Sequence, residues 1–198
     1  MTIRVVLLDS GGANLCSVQA AFERLGVEAP LSADASEIRA ATHVILPGVG
    51  AASAAMARLR ENSLDRIVAT LTQPLLGICV GMQVMHARSE EGDVDCLGLL
   101  PGTIERMKES DGKRVPHMGW NRLRGRVPHP LMAGLDDAWM YFVHSYAATV
   151  TDDSLAECTH GGAFAAVVGA GNRFGVQFHP ERSGAAGLRL LQNFLALS

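Results

Sequence analysis

Lysine is nearly missing from this chain. Lys108 and Lys113 are the only two, and the rest of the 17 basic residues are arginines, set against 20 acidic ones. We read that shortage as codon bias without functional meaning. The net charge of -3 leaves no basic surplus to neutralise phosphates, so nothing electrostatic favours nucleic acid or an anionic membrane. Metal-ligand patterns are lacking too: there is no His-x-x-x-His and no clustered set of acidic ligands. A Walker-type phosphate loop is absent, and no cofactor is called for. The four cysteines, Cys16, Cys79, Cys96 and Cys158, lack the close spacing of a zinc site and are expected as free thiols in a cytosolic chain. No targeting segment is evident, because Met1–Asp9 is interrupted by charge too soon for a signal peptide. One uncharged run, Ile67–Ala87, is long enough for a bilayer. It holds Gln73, Pro74, Gly77, Gly81, Gln83 and His86, which suits a buried strand followed by a helix better.

What is present is apolar mass. Hydrophobic residues make up 48% and charged residues 19%, enough for a sizeable core, and 198 residues fit one domain over 1–198. Ile3–Leu8, Val27–Leu31, His43–Leu46 and Pro74–Ile78 read as strands. Between them lie helix-like segments: one capped by Asn14 and running to about Leu25, one over Ser36–Ala40, and one over Ala51–Thr70 with a break near Asn62-Ser63. This rhythm predicts an α/β fold with a mostly parallel central sheet flanked by helices. The second half predicts added antiparallel strands: Ile104–Met107, Met118–Leu123, Trp139–Val143, Ala147–Val150, Leu155–Thr159, Phe164–Val168 and Phe174–Phe178. An amphipathic helix over Ala185–Leu197 closes the chain.

Chemistry concentrates in Gly77-Ile78-Cys79-Val80-Gly81-Met82-Gln83, where an apolar strand meets a helix. Small residues two before and two after a nucleophile permit a sharp strand-to-helix elbow. Cys79 is then the nucleophile, its thiolate favoured by the helix N-terminus, and the Val80 N–H is one oxyanion donor. The competing reading is a buried cysteine in a glycine-containing turn. A base is offered by His179, at the end of the apolar run Phe174–Phe178. Pro180 favours extended backbone on both sides, so Glu181 would share His179's face and orient its ring. A surface His-Pro-Glu turn competes with this, and the cysteine elbow tips the balance. Pro47-Gly48-Val49-Gly50 follows another strand and offers a second oxyanion N–H from Val49 or Gly50, unless it is an ordinary tight loop. His117 and His144 sit at strand ends beside the site. His43 reads as a strand-start residue, and His86, His129 and His160 as surface residues. Arg122, Arg124 and Arg126 alternate along a possible strand as a solvated face.

The Cys79 elbow together with His179-Pro180-Glu181 resembles the class I (triad) glutamine amidotransferases, over nearly the whole chain. Within that class, Pro47–Gly50, Pro116-His117-Met118-Gly119-Trp120-Asn121, Tyr141–Tyr146 and Phe178–Ser183 are similar to the glutaminase subunits of imidazole glycerol phosphate synthases. The resemblance implies a flavodoxin-like amidotransferase fold with Cys79, His179 and Glu181 as triad. It implies that Gly48, Gly50, Gln83, Glu91, Ser145 and Tyr146 bind L-glutamine. It also implies a heterodimer with a (β/α)8 cyclase subunit, contacted through Asn14, Trp120, Tyr141 and Arg182. Two departures stand out: Arg182 replaces the usual lysine, and the first loop, Asp9–Asn14, lacks the usual aromatic and one glycine. The rival expectations are a glutaminase subunit for anthranilate, pyridoxal phosphate or purine synthesis, a non-catalytic interaction protein on the same fold, and a stand-alone cysteine peptidase or chaperone-like protein.

Overall fold

Val5–Leu8, His43–Leu46 and Leu75–Ile78 are buried at every position, as strands covered on both faces must be. The computed structural model describes residues 2–10, 15–110 and 112–198. Its first half runs β1 (Val5–Leu8), α1 (Leu15–Glu23), β2 (Leu31–Ser32), α2 (Ala35–Ala40), β3 (His43–Leu46), α3 (Ala52–Glu61), α4 (Leu64–Ala69), β4 (Leu75–Ile78) and α5 (Val80–Gln83). The second half is mostly strand: β5 (Arg88–Ser89), β6 (Val94–Asp95), β7 (Ile104–Arg106), β8 (His117–Arg122), β9 (Arg124–Gly125), β10 (Trp139–His144), β11 (Tyr146–Ala148), β12 (Ser154–Thr159), β13 (Ala163–Ala170) and β14 (Arg173–Val176). It closes with α6 (Gly184–Leu195).

Among the described residues the main sheet has the order β2-β1-β3-β4-β14-β13-β11-β7-β5-β6, with β12 and β9 branching from β13. The pairs β1–β2, β1–β3, β3–β4 and β4–β14 are parallel, while β13 pairs antiparallel with β14, β11 and β12. A separate antiparallel ribbon joins β8 to β10, with Tyr141 opposite Trp120 and His144 opposite His117. The expected α/β fold with added antiparallel strands is therefore what the chain forms. Leu7, Leu8, Ile45, Leu46, Phe22 and Phe194 are among its fully buried side chains.

Some expectations need correcting. The second strand is only Leu31–Ser32, because Pro30 has no N–H to give the sheet and joins through its carbonyl, which accepts from Leu7. The helix after Cys79 lasts four residues and then tightens: Met85 and His86 donate to the carbonyls of Met82 and Gln83, three residues back. Pro180 does not continue an extended segment. It opens a 3-10 turn, Pro180–Arg182, where its fixed φ suits a first helical position. The Asn14 cap and the first loop from Gly11 lie outside the described residues. Among those residues, no helix is long and apolar enough to cross a membrane, and Ile67–Ala87 is divided among α4, β4 and α5.

Backbone packing at the β3–β4 edge leaves no room for side chains. A Cβ on Gly81 would sit 1.8 Å from the Leu46 carbonyl oxygen, and one on Gly77 would sit 2.7 Å from the Met82 nitrogen. Both obstacles are main chain, so neither can swing aside. Gly81→Ala is therefore expected to exceed the ~1–3 kcal/mol of ordinary overpacking. Gly162→Ala, at a position with nothing within 4 Å, should stay within about 0.5 kcal/mol of the parent. Urea midpoints of the two variants check this, and a parental midpoint for Gly81→Ala would contradict it.

Candidate active site

Cys79 occupies the turn between β4 and α5 at φ 54° and ψ -114°, a left-handed conformation that a side chain adopts only under constraint. Gly77 and Gly81 supply the constraint by letting α5 fold back onto β3 and β4. Its N–H donates to the Val176 carbonyl at 2.8 Å, pinning the elbow to β14. Two residues beyond Gln177, the His179 N–H donates to the Tyr141 carbonyl at 2.9 Å, and Ser183 Oγ ties the His179 carbonyl (2.7 Å) to the Tyr141 N–H (3.0 Å). The imidazole is thus held between the main sheet and the β8–β10 ribbon.

His179 Nδ1 lies 2.9 Å from Glu181 Oε1, within a fully buried carboxylate side chain. The Cys79 side chain also acts on the ring. Burial opposes a charge on His179, but the hydrogen bonds to Cys79 and Glu181 and the charges of both groups prevail and raise its pKa to about 10. Glu181 reaches the ring through the 3-10 turn rather than through an extended strand. The arrangement brings together a thiol, a proton-retaining imidazole and an orienting carboxylate, which is the equipment of nucleophilic acyl chemistry.

These groups open onto a cavity of about 410 Å³. Val49, Gly50 and Val80 line it beside Cys79, and Gln83, Glu91, Ser145, Tyr146 and Arg182 line its polar remainder. Gly48 is not in the lining. It backs onto the Val80–Gly81 main chain, where a Cβ would sit 2.4 Å from the Gly81 nitrogen. Ser10 Oγ donates to the Pro47 carbonyl at 2.6 Å and steadies the start of that loop. Glu91 stands on the β5–β6 hairpin, with its N–H on Ser89 Oγ (3.1 Å), and its Oε2 accepts from the Ala52 N–H at 2.9 Å. Helix α3 has no side-chain cap of its own, so a residue of the cavity wall caps it from outside.

Behind the cavity runs a row of hydrogen bonds whose directions follow from chemistry. The Tyr146 carbonyl can only accept, so His144 Nδ1, 2.9 Å away, carries a hydrogen. Burial lowers the pKa of His144 to about 4, so Nε2 is bare and accepts from His117 Nδ1 at 2.9 Å. Burial, then the neighbouring charges of His144 and His160, lowers His117 to about 3, and its Nε2 faces the Asn121 amide at 3.5 Å. His117 and His144 therefore do adjoin the site.

Trp120 and Tyr141 pair edge-to-face at 5.8 Å, and the Arg182 guanidinium lies 5.6 Å from the Tyr141 ring centre. Trp120 is 53% exposed and Met118 64%, so neither belongs to the core. Asn14 is outside the described residues. His86 is a correction: it is fully buried against the backbone of Pro101 and Gly102, not at the surface. The arginines are solvated as expected, Arg122 on Asp137 and Arg124 and Arg126 on Glu157. Sequence reasoning missed the two-residue strands β5 and β6 that carry Glu91, and it assigned nothing to Ser183 or Gln177. The alternation of Gln177 with His179 was the available signal for the latter. All four cysteines are free, and among the described residues no group of His, Cys, Asp or Glu is arranged to hold a metal.

The family model "Glutamine amidotransferase class-I" matches residues 6–197 of this chain. The protein "Imidazole glycerol phosphate synthase subunit HisH" of Xanthomonas campestris pv. campestris (strain 8004) is 56% identical over 195 residues, covering 98% of each chain. Its namesake in Xylella fastidiosa (strain Temecula1) is 53% identical over 194 residues, covering 98% of this chain and 97% of its own. Among solved structures, a chain described as a glutamine amidotransferase superposes with a TM-score of 0.77 at 22% identity, covering 97% of both chains. A glutamine amidotransferase from Thermotoga maritima gives 0.65 at 17% identity, covering 99% of this chain and 82% of its own. At those identities the likeness is one of fold alone.

The buried imidazoles have a measurable pH signature. His117 and His144 have depressed pKa values, so the stability they support is present above about 6.5 and is lost as pH falls toward 4 and 3. His43, His86 and His129 are shifted the same way by burial. His179 is shifted upward, so its contribution is fully present below about 6.5 and is lost progressively as pH rises from there through about 10. Unfolding free energy should therefore fall between pH 6.5 and 5 by up to about 1.4 kcal/mol per pH unit for each imidazole kept neutral. Denaturant titrations across that window check it, and a flat profile would contradict it.

Proposed function

The chain belongs to the class-I glutamine amidotransferase family, and from that premise we propose that it is the glutaminase subunit of an imidazole glycerol phosphate synthase, releasing ammonia from L-glutamine for a cyclase subunit. The observation that carries the reaction is that Cys79 and His179, with Glu181 hydrogen-bonded to the imidazole, line one cavity with Glu91 and Gln83. The identities of 56% and 53% to subunits of that synthase support the pathway.

In this reading Cys79 Sγ attacks the side-chain carboxamide carbon of glutamine. The oxyanion takes hydrogen bonds from the Val80 N–H and from the Val49–Gly50 loop. One such donor is typically worth ~3 kcal/mol of transition-state stabilisation. As the C–N bond breaks, the proton held on His179 passes to the leaving nitrogen, which departs as ammonia and leaves a thioester. His179, now neutral, takes a proton from water. The resulting hydroxide displaces Cys79 and glutamate is released. The raised pKa of His179 suits it to arrive protonated at the first step.

Substrate selection follows from the wall. Gln83 spends its amide nitrogen on the Tyr146 carbonyl (2.9 Å) and Gln177 Oε1 (3.0 Å), so only its carbonyl oxygen is left for a ligand. With the Glu91 carboxylate, which lines the same cavity, that oxygen suits the α-ammonium of glutamine. Ser145 and Tyr146 line that cavity too.

The exposed side chains Met118, Trp120 and Trp139 form the face we assign to the cyclase. Arg182 belongs both to the cavity wall and to the Tyr141 stack, so the face adjoins the outlet for ammonia. The cytosol suits a chain with free thiols.

A glutamine-shaped electrophile is expected to label Cys79 and to spare Cys158 and Cys96, whose thiols burial pushes up to about 12 and about 11. Cys16, which is exposed, should be spared because it does not line the cavity at Cys79. Cys79→Ala should abolish glutamine hydrolysis while ammonia-dependent synthesis by the complex continues, and residual hydrolysis at the native rate would remove the assignment. For the partner face, Trp120→Ala should leave the melting temperature of the free chain nearly unchanged. It should weaken association, for which an anchor aromatic can count ~2 kcal/mol. Glutamate should then form in excess of imidazole glycerol phosphate. A one-to-one product ratio with unweakened association would withdraw Trp120 from that face.

A further inference from the structure

Gln177 is fully buried just past the last β4–β14 pair, two residues before His179. A buried amide without partners is costly, so what it bonds is informative. Its neighbours are Gln83 Nε2, 3.0 Å from its Oε1, and Cys79 Sγ, 3.8 Å from its Nε2.

Which end of the amide faces the sulfur follows from a chain of necessity starting at Tyr146. That carbonyl accepts only, so the group of Gln83 lying 2.9 Å from it is the NH2. The same NH2 meets Gln177, which must answer with an acceptor, its Oε1. The Gln177 NH2 is thereby left pointing at Cys79. On its other side, Cys79 Sγ lies 3.9 Å from the Val143 carbonyl oxygen. The two contacts have opposite preferences. The carbonyl welcomes S–H and repels a thiolate, whereas an N–H donor favours the thiolate.

We propose that Gln177 is a further member of the catalytic centre, a hydrogen-bond donor to the Cys79 sulfur that stabilises its anionic, attacking form. The inference rests on the reading of Cys79 as nucleophile given above. His179, with Glu181 behind it, lines the same cavity as the sulfur. Gln177 supplies an uncharged donor that never takes the proton away. Because its orientation depends on Gln83, the residue that faces the substrate also aims the donor at the nucleophile.

The test is alkylation of the full chain by iodoacetamide, with the modified cysteines located by mass spectrometry. It uses no glutamine, so it is separable from turnover. In the native chain Cys79 should react faster than the exposed Cys16. If it does not, the nucleophile assignment fails before this inference is reached. Gln177→Met keeps length and burial but has no donor. It should slow Cys79 alkylation at pH 7 about tenfold and move the acid limb of the rate–pH profile to higher pH, with the Cys16 rate unchanged. Gln177→Leu also lacks a donor. It should slow alkylation likewise, and it serves if the methionine variant does not fold. A merely structural glutamine predicts another pattern: a lower melting temperature, faster labelling of the buried Cys158, and an unshifted profile at Cys79. That pattern, or native Cys79 alkylation in either folded variant, overturns the proposal.

Discussion

The contact on which the rest of the site depends is between two stretches of main chain: Gly81 against the Leu46 carbonyl, with no side chain between them. Because α5 can come that close, the chain reverses in one residue, and that residue is Cys79 at φ 54°. The strain is local, while the restraint is spread over β3, β4 and β14 through buried main-chain packing. A side chain held this way has little freedom to relax, which suits the nucleophilic role proposed for Cys79.

Around the elbow, side chains from distant parts of the chain do the positioning. Ser183 couples His179 to the β8–β10 ribbon, and Glu91 couples the cavity wall to the start of α3, directly after the Pro47–Gly50 loop. The Arg182 stack carries the cavity wall outward to Trp120 through Tyr141. Cavity, loop and the exposed side of the β8–β10 ribbon are therefore neighbours by construction rather than separate modules.

The buried parallel strands were legible in the sequence because each is a continuous apolar run, and the elbow because glycine at both flanks has few other uses. The triad partners were legible as residues but not as geometry. Pro180 was read through its restraint on φ, which fits an extended chain and a 3-10 turn alike, and only the packing of α6 behind Ser183 decides between them. Two-residue strands such as β5 and β6 leave no periodicity to detect, so the setting of Glu91 stayed hidden. His86 was read by polarity and is buried by context. Gln177 carried no signal of function beyond its spacing from His179, since a buried glutamine is explained only by the partners it meets.

The row Asn121–His117–His144–Tyr146–Gln83–Gln177–Cys79 joins the inward side of β8 to Cys79, yet it cannot act as a wire for protons. A Grotthuss path needs every link both to give and to receive. The Tyr146 carbonyl is a sink that receives from both directions, and the two glutamines beyond it have no proton to pass on at neutral pH. What such a row conveys is orientation, and what it withholds is charge.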